Sequence, residues 1–143
     1  MTHRRRIFPP ENQLIQCNTI DELPSKFADS RIYYLMYDSN SKLIKIGMTR
    51  SKDGINNRFE AHEQKIKELY NGESNLRILR LCFILGKHDS FESTLRSCFR
   101  LISSRIDLDE NGSYEYDWFL NSKSIDPAKI FDEALNLFNA APS

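Results

Sequence analysis

The segment formed by residues 31–49 constrains the fold of this chain more than any other, because it predicts two strands joined by a tight turn. Residues 31–37 are an aromatic and aliphatic run, which is typical of a strand that packs on both faces. Residues 38–41 are four polar turn formers, and an apolar strand resumes over residues 43–47. The hairpin carries more polar side-chain heads than a core requires: Tyr33, Tyr34, Tyr37 and Lys45. This excess indicates a functional surface.

The length of 143 residues and the 40% hydrophobic content predict one globular domain with a substantial core. No apolar run approaches the ~20 residues of a membrane-spanning helix, and no signal-type segment follows the first residues. The three cysteines lack Cys-x-x-Cys spacing, which argues against a disulfide scaffold or a structural zinc site. Together these features predict a cytoplasmic protein in a reducing environment.

The formal net charge of zero conceals an uneven distribution of charge along the chain. Residues 45–105 contain 12 basic and seven acidic side chains, whereas residues 106–143 contain two basic and eight acidic ones. A polyanion such as DNA could therefore bind the middle of the chain although the whole is neutral. The alternative is that two solvated surfaces simply carry opposite charges.

Hydrophobic periodicity predicts three helices after the hairpin. The first helix ends before Asn71-Gly72, a pair typical of helix C-termini. Its apolar stripe comprises Ile55, Phe59, His62, Ile66 and Leu69. The second helix spans residues 90–102, with a stripe of Phe91, Leu95, Cys98, Phe99 and Ile102. The third begins with the cap and first-turn proline Asp126-Pro127, and its stripe comprises Ile130, Ala134, Leu137 and Phe138.

The remaining segments complete an α+β fold, a small three-stranded antiparallel sheet flanked by helices. Residues 76–85 predict a third, buried strand, and residues 114–119 are an aromatic cluster that could form a short edge strand. Thr19 or Asp21 would cap a short helical turn in the leader. The predicted parts are an N-terminal arm and leader (1–30), a central domain (31–120) and a C-terminal helix packed on it (121–143).

Arg58 and His62 lie one turn apart near the start of the first predicted helix. A guanidinium at this position can bind a phosphate through two hydrogen bonds, helped by the positive end of the helix dipole. Arg58 could equally be an ordinary solvated arginine. His62 could be a core histidine, because it lies on the apolar stripe of the helix.

Glu92 and Lys45 are the other two charged candidates. Glu92 is the only acidic residue within the second predicted helix, and its carboxylate would suit a magnesium-type ion. The spacing Asp89-x-x-Glu92 also fits a capping box, and Glu92 could pair with Arg96 one turn on. Lys45 interrupts an apolar strand, which costs stability unless the ammonium finds a partner. Phenol, ammonium, guanidinium, imidazole and carboxylate together suit phosphodiester hydrolysis with one divalent ion.

The order of five short motifs resembles the GIY-YIG endonuclease superfamily. They are Ile32-Tyr33-Tyr34-Leu35, Lys45-Ile46-Gly47-Met48-Thr49, Arg58-x-x-x-His62, Glu92 and Asp117-Trp118-Phe119. The resemblance covers about residues 31–119 and is closest to the branch with K-I-G-x-T as its second motif and E-W-F as its last. Arg31 stands at the first motif's glycine, Lys45 at the second motif's tyrosine and Asp117 at the last motif's glutamate.

The resemblance implies a three-stranded sheet flanked by helices and a metal-dependent DNA endonuclease. Tyr33 would lie near the attacking water, on one wall of the site with Lys45. Arg58 would hold the scissile phosphate and stabilise the charge that builds on its oxygens. His62 would position or deprotonate the nucleophile. Glu92 would bind a single Mg²⁺ or Mn²⁺ ion that stabilises the leaving oxygen.

The predicted partner is double-stranded DNA, contacted by the basic residues Arg50, Lys52, Arg58 and Arg96. The chain could act alone with low specificity, or a homodimer or a separate partner protein would supply target specificity. Two other interpretations remain open: a nucleic-acid-binding module of the same fold without catalysis, and a protein-interaction domain that uses the acidic C-terminal helix.

Overall fold

The computed structural model describes residues 14–17, 20–23, 31–84, 90–102, 104–106 and 118–140. Within these ranges the chain forms six strands, one short 3₁₀ helix (Ile20–Glu22) and three α-helices. The strands are β1 (Leu14–Cys17), β2 (Arg31–Asp38), β3 (Leu43–Thr49), β4 (Leu76–Ile84), β5 (Ser104–Ile106) and β6 (Trp118–Leu120). The helices are α1 (Lys52–Leu69), α2 (Ser90–Ile102) and α3 (Pro127–Ala140).

The described strands form one sheet in the order β1-β4-β2-β3-β6-β5, with antiparallel pairing throughout. The three predicted strands are its centre, so the α+β class is confirmed, but the prediction of only three strands is wrong. The additional strands β1, β5 and β6 contain four, three and three residues. β1 and β5 carry too little period-two pattern to be recognised from the sequence, whereas β6 overlaps the aromatic segment at residues 114–119 and lies between β3 and β5, not at an edge. Thr19, Asp89, Asp117 and residues 114–116, which belong to predicted features, lie outside the described residues.

The turn of the β2–β3 hairpin is held by a buried carboxylate, Asp38. It accepts hydrogen bonds from the backbone nitrogen of Ser41 at 2.8 Å and from the Ser41 hydroxyl at 2.6 Å. It also accepts one from the backbone nitrogen of Asn75, which joins the hairpin to the segment before β4. Three donors on one carboxylate satisfy a charge that would otherwise be costly to bury. The hairpin is therefore fixed at the end where β2 finishes.

Helices α2 and α3 cover one face of the sheet, which we call the α2/α3 face. The bounds predicted for α2 are confirmed, and Phe91 makes edge-on ring contacts with Tyr33, Phe131 and Phe138. Asp126 caps α3 as predicted, since its carboxylate accepts from the Ala128 backbone nitrogen at 3.1 Å. The predicted α3 stripe was wrong at one position: Leu137 is 62% exposed.

Helix α1 covers the opposite face, which we call the α1 face. Ser51 caps the helix by accepting a hydrogen bond from the Gly54 nitrogen at 3.0 Å. Ile55, His62 and Ile66 are buried as the stripe predicts, whereas Leu69 is 51% exposed and is a wrong prediction. Leu69 is the last residue of the helix.

The three cysteines are free thiols. Cys17 lies with the core residues of the α1 face and Cys82 with those of the α2/α3 face, so the sheet separates them. Burial raises the pKa of the Cys82 thiol well above its usual value, and the nearby Cys17 raises it further. In the part of the chain that the structure describes, no helix is both long enough and apolar enough to cross a membrane.

Candidate functional site

The two neighbouring tyrosines of β2 point to opposite faces of the sheet, because side chains alternate along a strand. Tyr33 is buried on the α2/α3 face, where its ring meets the edge of Phe91 at 5.1 Å. Tyr34 is buried on the α1 face. In the register with β3, Tyr34 lies opposite Gly47 and Met36 lies opposite Lys45. Tyr34 and Lys45 therefore share one face, and Tyr33 does not belong to it.

The prediction that Tyr33 and Lys45 form one wall of a site is therefore wrong. The physical reason is the pleat: opposite residues of antiparallel strands point to the same side, and Tyr33 pairs with Met48. The residue on the correct face is the next one, Tyr34. The sequence contained both tyrosines within one motif, but only the strand register distinguishes them.

Four side chains on the α1 face form a polar and aromatic cluster, which we call the α1-face cluster. They are Tyr34, Lys45, His62 and Trp118. The Tyr34 hydroxyl and His62 Nε2 are 3.0 Å apart and share a buried hydrogen bond. The Lys45 Nζ lies over the Trp118 ring, 5.4 Å from its centroid. His62 meets the same ring edge-on at 5.3 Å, with an interplanar angle of 84°.

The cluster is closed in this structure. Lys45 is 5% exposed and His62 is 3% exposed, and the Trp118 and Tyr34 side chains are buried as well. A buried ammonium and a buried imidazole cost free energy unless hydrogen bonds, ring faces or counter-charges compensate them. These groups therefore form a specific polar arrangement within an otherwise apolar core.

Gly47, at the centre of the K-I-G segment, makes room for this arrangement. A Cβ atom at Gly47 would overlap the hydroxyl and adjoining ring carbons of Tyr34. The overlap is with the tyrosine that bonds His62, and Gly47 lies directly opposite it in the strand register. The glycine is therefore required by the close approach of the Tyr34 ring to the β3 backbone.

Helices α1 and α2 both begin at the end of the sheet where β2 starts. Thr49, the last residue of β3, pairs with Ile32, and Ile84, the last residue of β4, pairs with Arg31. The chain enters α1 shortly after Thr49 and α2 shortly after Ile84. This topology brings the predicted residue Arg58, in the second turn of α1, and Glu92, in the first turn of α2, to the same end of the sheet from opposite faces.

Glu92 is half-buried and makes an ion pair with Arg96 one turn along α2, at 3.5 Å. Among the described residues, no three His, Cys, Asp or Glu side chains come together as a preformed metal cage. Mg²⁺, however, commonly keeps several waters and takes only one or two carboxylates, with substrate phosphates completing its shell. Glu92 fits that looser kind of site, because both members of its pair are 31% exposed and solvent weakens the pair.

The four basic residues predicted to contact DNA are in different situations. Arg50 and Arg58 are exposed. Lys52 is half-buried, and its ammonium lies 3.4 Å from the carbonyl oxygen of Asp21 in the short 3₁₀ helix. Arg96 makes the pair with Glu92. Of these four residues, Arg50 and Arg58 are therefore the ones whose charge is most exposed to solvent.

Trp118 belongs to the site and carried no predicted role in the sequence. In the sequence, Trp118 stands out only as part of the motif Asp117-Trp118-Phe119. That it lies opposite Lys45 depends on the register of β3 and β6. Comparisons with protein-family models, with curated proteins and with solved structures found no significant match to this chain.

Proposed function

We propose that this chain is a GIY-YIG-type endonuclease that hydrolyses phosphodiester bonds in DNA. The observation that carries the proposal is the buried hydrogen bond between Tyr34 and His62, with Lys45 on the same face. Arg58 stands exposed on the helix that supplies His62. The proposal keeps the residue set implied by the motifs, except that Tyr34 takes the role expected of Tyr33.

The composition of the α1-face cluster supports a chemical role over a structural one. Replacing buried polar groups by apolar residues of similar volume is often neutral or stabilising, so stability alone gives no reason for them. The α2/α3 face of the same sheet has an aromatic and aliphatic core built from residues such as Phe91, Phe99, Phe119 and Phe131. The Lys45 ammonium and the His62 imidazole support a function on the α1 face, although the α2/α3 face has a buried charged residue of its own, Arg31, two residues before Tyr33 on β2.

Arg58 is the phosphate-binding residue in this proposal. Its guanidinium offers paired N–H donors that match two phosphoryl oxygens, and its charge becomes more effective as negative charge builds in the transition state. Lys45 adds a second positive charge, buried on the α1 face in the low-dielectric interior. Both residues would use their fixed positive charge to stabilise the negative charge that the reaction creates.

The Tyr34–His62 pair handles the proton in this proposal. Tyr34 and His62 can each donate or accept in the hydrogen bond that they share. When one of these two side chains takes a proton from the attacking water, the other stabilises the protonated group. Because the pair is buried on strand and helix, its geometry is held before DNA binds. Glu92 would hold the Mg²⁺ or Mn²⁺ ion, which when bound supplies positive charge for the leaving oxygen.

A second candidate function is DNA binding without hydrolysis by the same surface. The observation that favours it is the near-complete burial of Lys45 and His62, which leaves Arg58 and Arg50 as the phosphate-facing charges. In both cases the ligand is double-stranded DNA and affinity falls as salt rises.

The test is cleavage of supercoiled plasmid DNA in Mg²⁺ or Mn²⁺ by the wild-type chain and by matched pairs of variants. Arg58→Ala is compared with Arg77→Ala, an exposed arginine at the far end of β4. Glu92→Gln is compared with Glu68→Gln, an exposed glutamate near the end of α1. We expect Arg58→Ala and Glu92→Gln to lower the rate by on the order of a hundredfold, and the controls to retain it.

The outcomes separate the candidates. Cleavage that survives Arg58→Ala rejects the assigned phosphate site. Intact DNA under all metal conditions, with salt-dependent binding that Arg58→Ala weakens, establishes the binding module instead of the nuclease.

A further inference from the structure

Trp118 contacts two of the ionisable groups that the proposed reaction uses, Lys45 and His62. It is the only tryptophan of the chain and is fully buried on β6. It lies directly opposite Lys45 in the register of β3 and β6, so the two side chains point to the same face. The same ring receives the Lys45 ammonium at 5.4 Å and the edge-on contact of His62 at 5.3 Å.

An indole face is the most favourable aromatic surface for an ammonium, because the ring quadrupole presents negative charge there. A lysine with its flexible four-carbon chain has many rotamers, and the ring selects those that place Nζ over it. His62 is fixed from two sides, by the Tyr34 hydroxyl at Nε2 and by the Trp118 ring. One side chain thus restrains a cation and a proton-transferring group at the same time.

We propose that Trp118 is a positioning residue that holds the Lys45 ammonium and the His62 imidazole in register with Tyr34 for phosphodiester hydrolysis. The effect on catalysis rests on the proposed function. That the Trp118 ring holds the Lys45 ammonium and the His62 imidazole in place does not depend on it. It goes beyond filling the core, because an aliphatic residue of the same burial would fill space without orienting a charge.

The same short strand provides a matched control. Phe119 follows Trp118 on β6 and is equally buried, but it faces the α2/α3 core, where its ring packs near Phe99. Replacing either aromatic residue by leucine removes buried ring surface from the same strand. Only the replacement of Trp118 removes a ring from Lys45 and His62.

The experiment compares Trp118→Leu, Trp118→Phe and Phe119→Leu at a temperature where all three remain folded by circular dichroism. The first readout is the NMR chemical shift of the Lys45 ε-methylene protons. We expect an upfield ring-current shift in the wild type that persists in part in Trp118→Phe, persists fully in Phe119→Leu and disappears in Trp118→Leu. A Lys45 signal that does not change in Trp118→Leu overturns the inference.

The second readout is the rate of DNA cleavage, separated into kcat and KM. We expect Trp118→Leu to lower kcat by on the order of 10–100-fold with KM little changed, because misplaced groups act on the chemical step. Trp118→Phe should recover much of this loss, and Phe119→Leu should retain the wild-type kcat. An equal loss of kcat in Phe119→Leu overturns the positioning role. A wild type that does not cleave rejects the proposed function, and the NMR comparison then decides whether Trp118 holds Lys45.

Discussion

The two faces of the central sheet are built from alternate residues of the same strands, yet they differ in chemistry. On the α2/α3 face, Tyr33 packs among phenylalanines from α2, α3 and β6. On the α1 face, Tyr34 bonds His62, and Lys45 lies over Trp118. Both faces are well buried.

Burial alone therefore does not identify the role of a residue in this protein. The aromatic face gains stability from apolar area and ring packing. The polar face contains groups whose burial is costly unless each is compensated. Substitutions of the buried aromatic residues on the first face should therefore change stability, and substitutions of Tyr34, Lys45 or His62 on the second should change activity more than stability.

The largest expected effect on stability is at Phe91, which joins Tyr33, Phe131 and Phe138. Phe91→Ala should lower the free energy of unfolding by about 3–5 kcal/mol, because it removes a fully buried ring and leaves a cavity. Urea denaturation measures the loss. Leu137→Ala on α3 is the control and should change stability by at most about 0.5 kcal/mol, since Leu137 is exposed.

A smaller loss is expected at Gly47, where the cause is overlap instead of a cavity. Gly47→Ala should cost about 1–3 kcal/mol, because its Cβ displaces the Tyr34 ring from the β3 backbone. In a double-mutant cycle with Tyr34→Leu, the cost of Gly47→Ala should be much smaller, since the clashing ring is gone. Strictly additive losses would show that the strain does not arise from Tyr34.

The thiol of Cys82 provides a test of the α2/α3 face through pH. Burial raises the pKa of this thiol in the folded state, so the unfolded chain releases its proton at a lower pH. Stability is therefore fully present below the unfolded thiol pKa of about 8.5 and falls as pH rises toward the folded value, by up to about 1.4 kcal/mol per pH unit. Chemical denaturation between pH 7 and pH 10 should show a steeper decline in the wild type than in Cys82→Ala.

The smallest expected effect concerns the ion pair that joins β4 to α3. Arg80 donates from Nε to Asp132 at 3.0 Å and from a terminal nitrogen at 3.3 Å. Both side chains are about one-third exposed, so Asp132→Asn should cost no more than about 1 kcal/mol. Glu133→Gln, one position along the same helix and exposed, should cost less. Equal effects of Asp132→Asn and Glu133→Gln on the thermal midpoint would show that the Arg80–Asp132 ion pair makes no specific contribution to stability.

The sequence predicts the local elements of this fold better than its sheet. The strand at residues 76–84 and the helix at residues 90–102 follow from length, apolar content and periodicity. β1 and β6 pair with the longer strands β4 and β3, and β5 pairs in turn with β6, and pairing of this kind leaves little local signal.

The candidate site was predictable as a set of residue types but not as a geometry. Arg58, His62 and Glu92 are distinguished in the sequence by the motifs they belong to. The choice between Tyr33 and Tyr34 depends on which residue of β2 faces Lys45, and the register with β3 fixes it. A shift of one residue moves a side chain to the other face, so a motif alone cannot decide the matter.

The most direct test of the contrast between the two faces is the DNA cleavage rate of Tyr34→Phe against that of Tyr33→Phe. Each change removes one hydroxyl from adjacent buried positions of the same strand. We expect Tyr34→Phe to lower kcat by about a hundredfold or more, because His62 loses its hydrogen-bonded partner, and Tyr33→Phe to stay within a few-fold of the wild type. A wild-type rate in Tyr34→Phe with an inactive Tyr33→Phe would contradict the assignment of the chemistry to the α1 face.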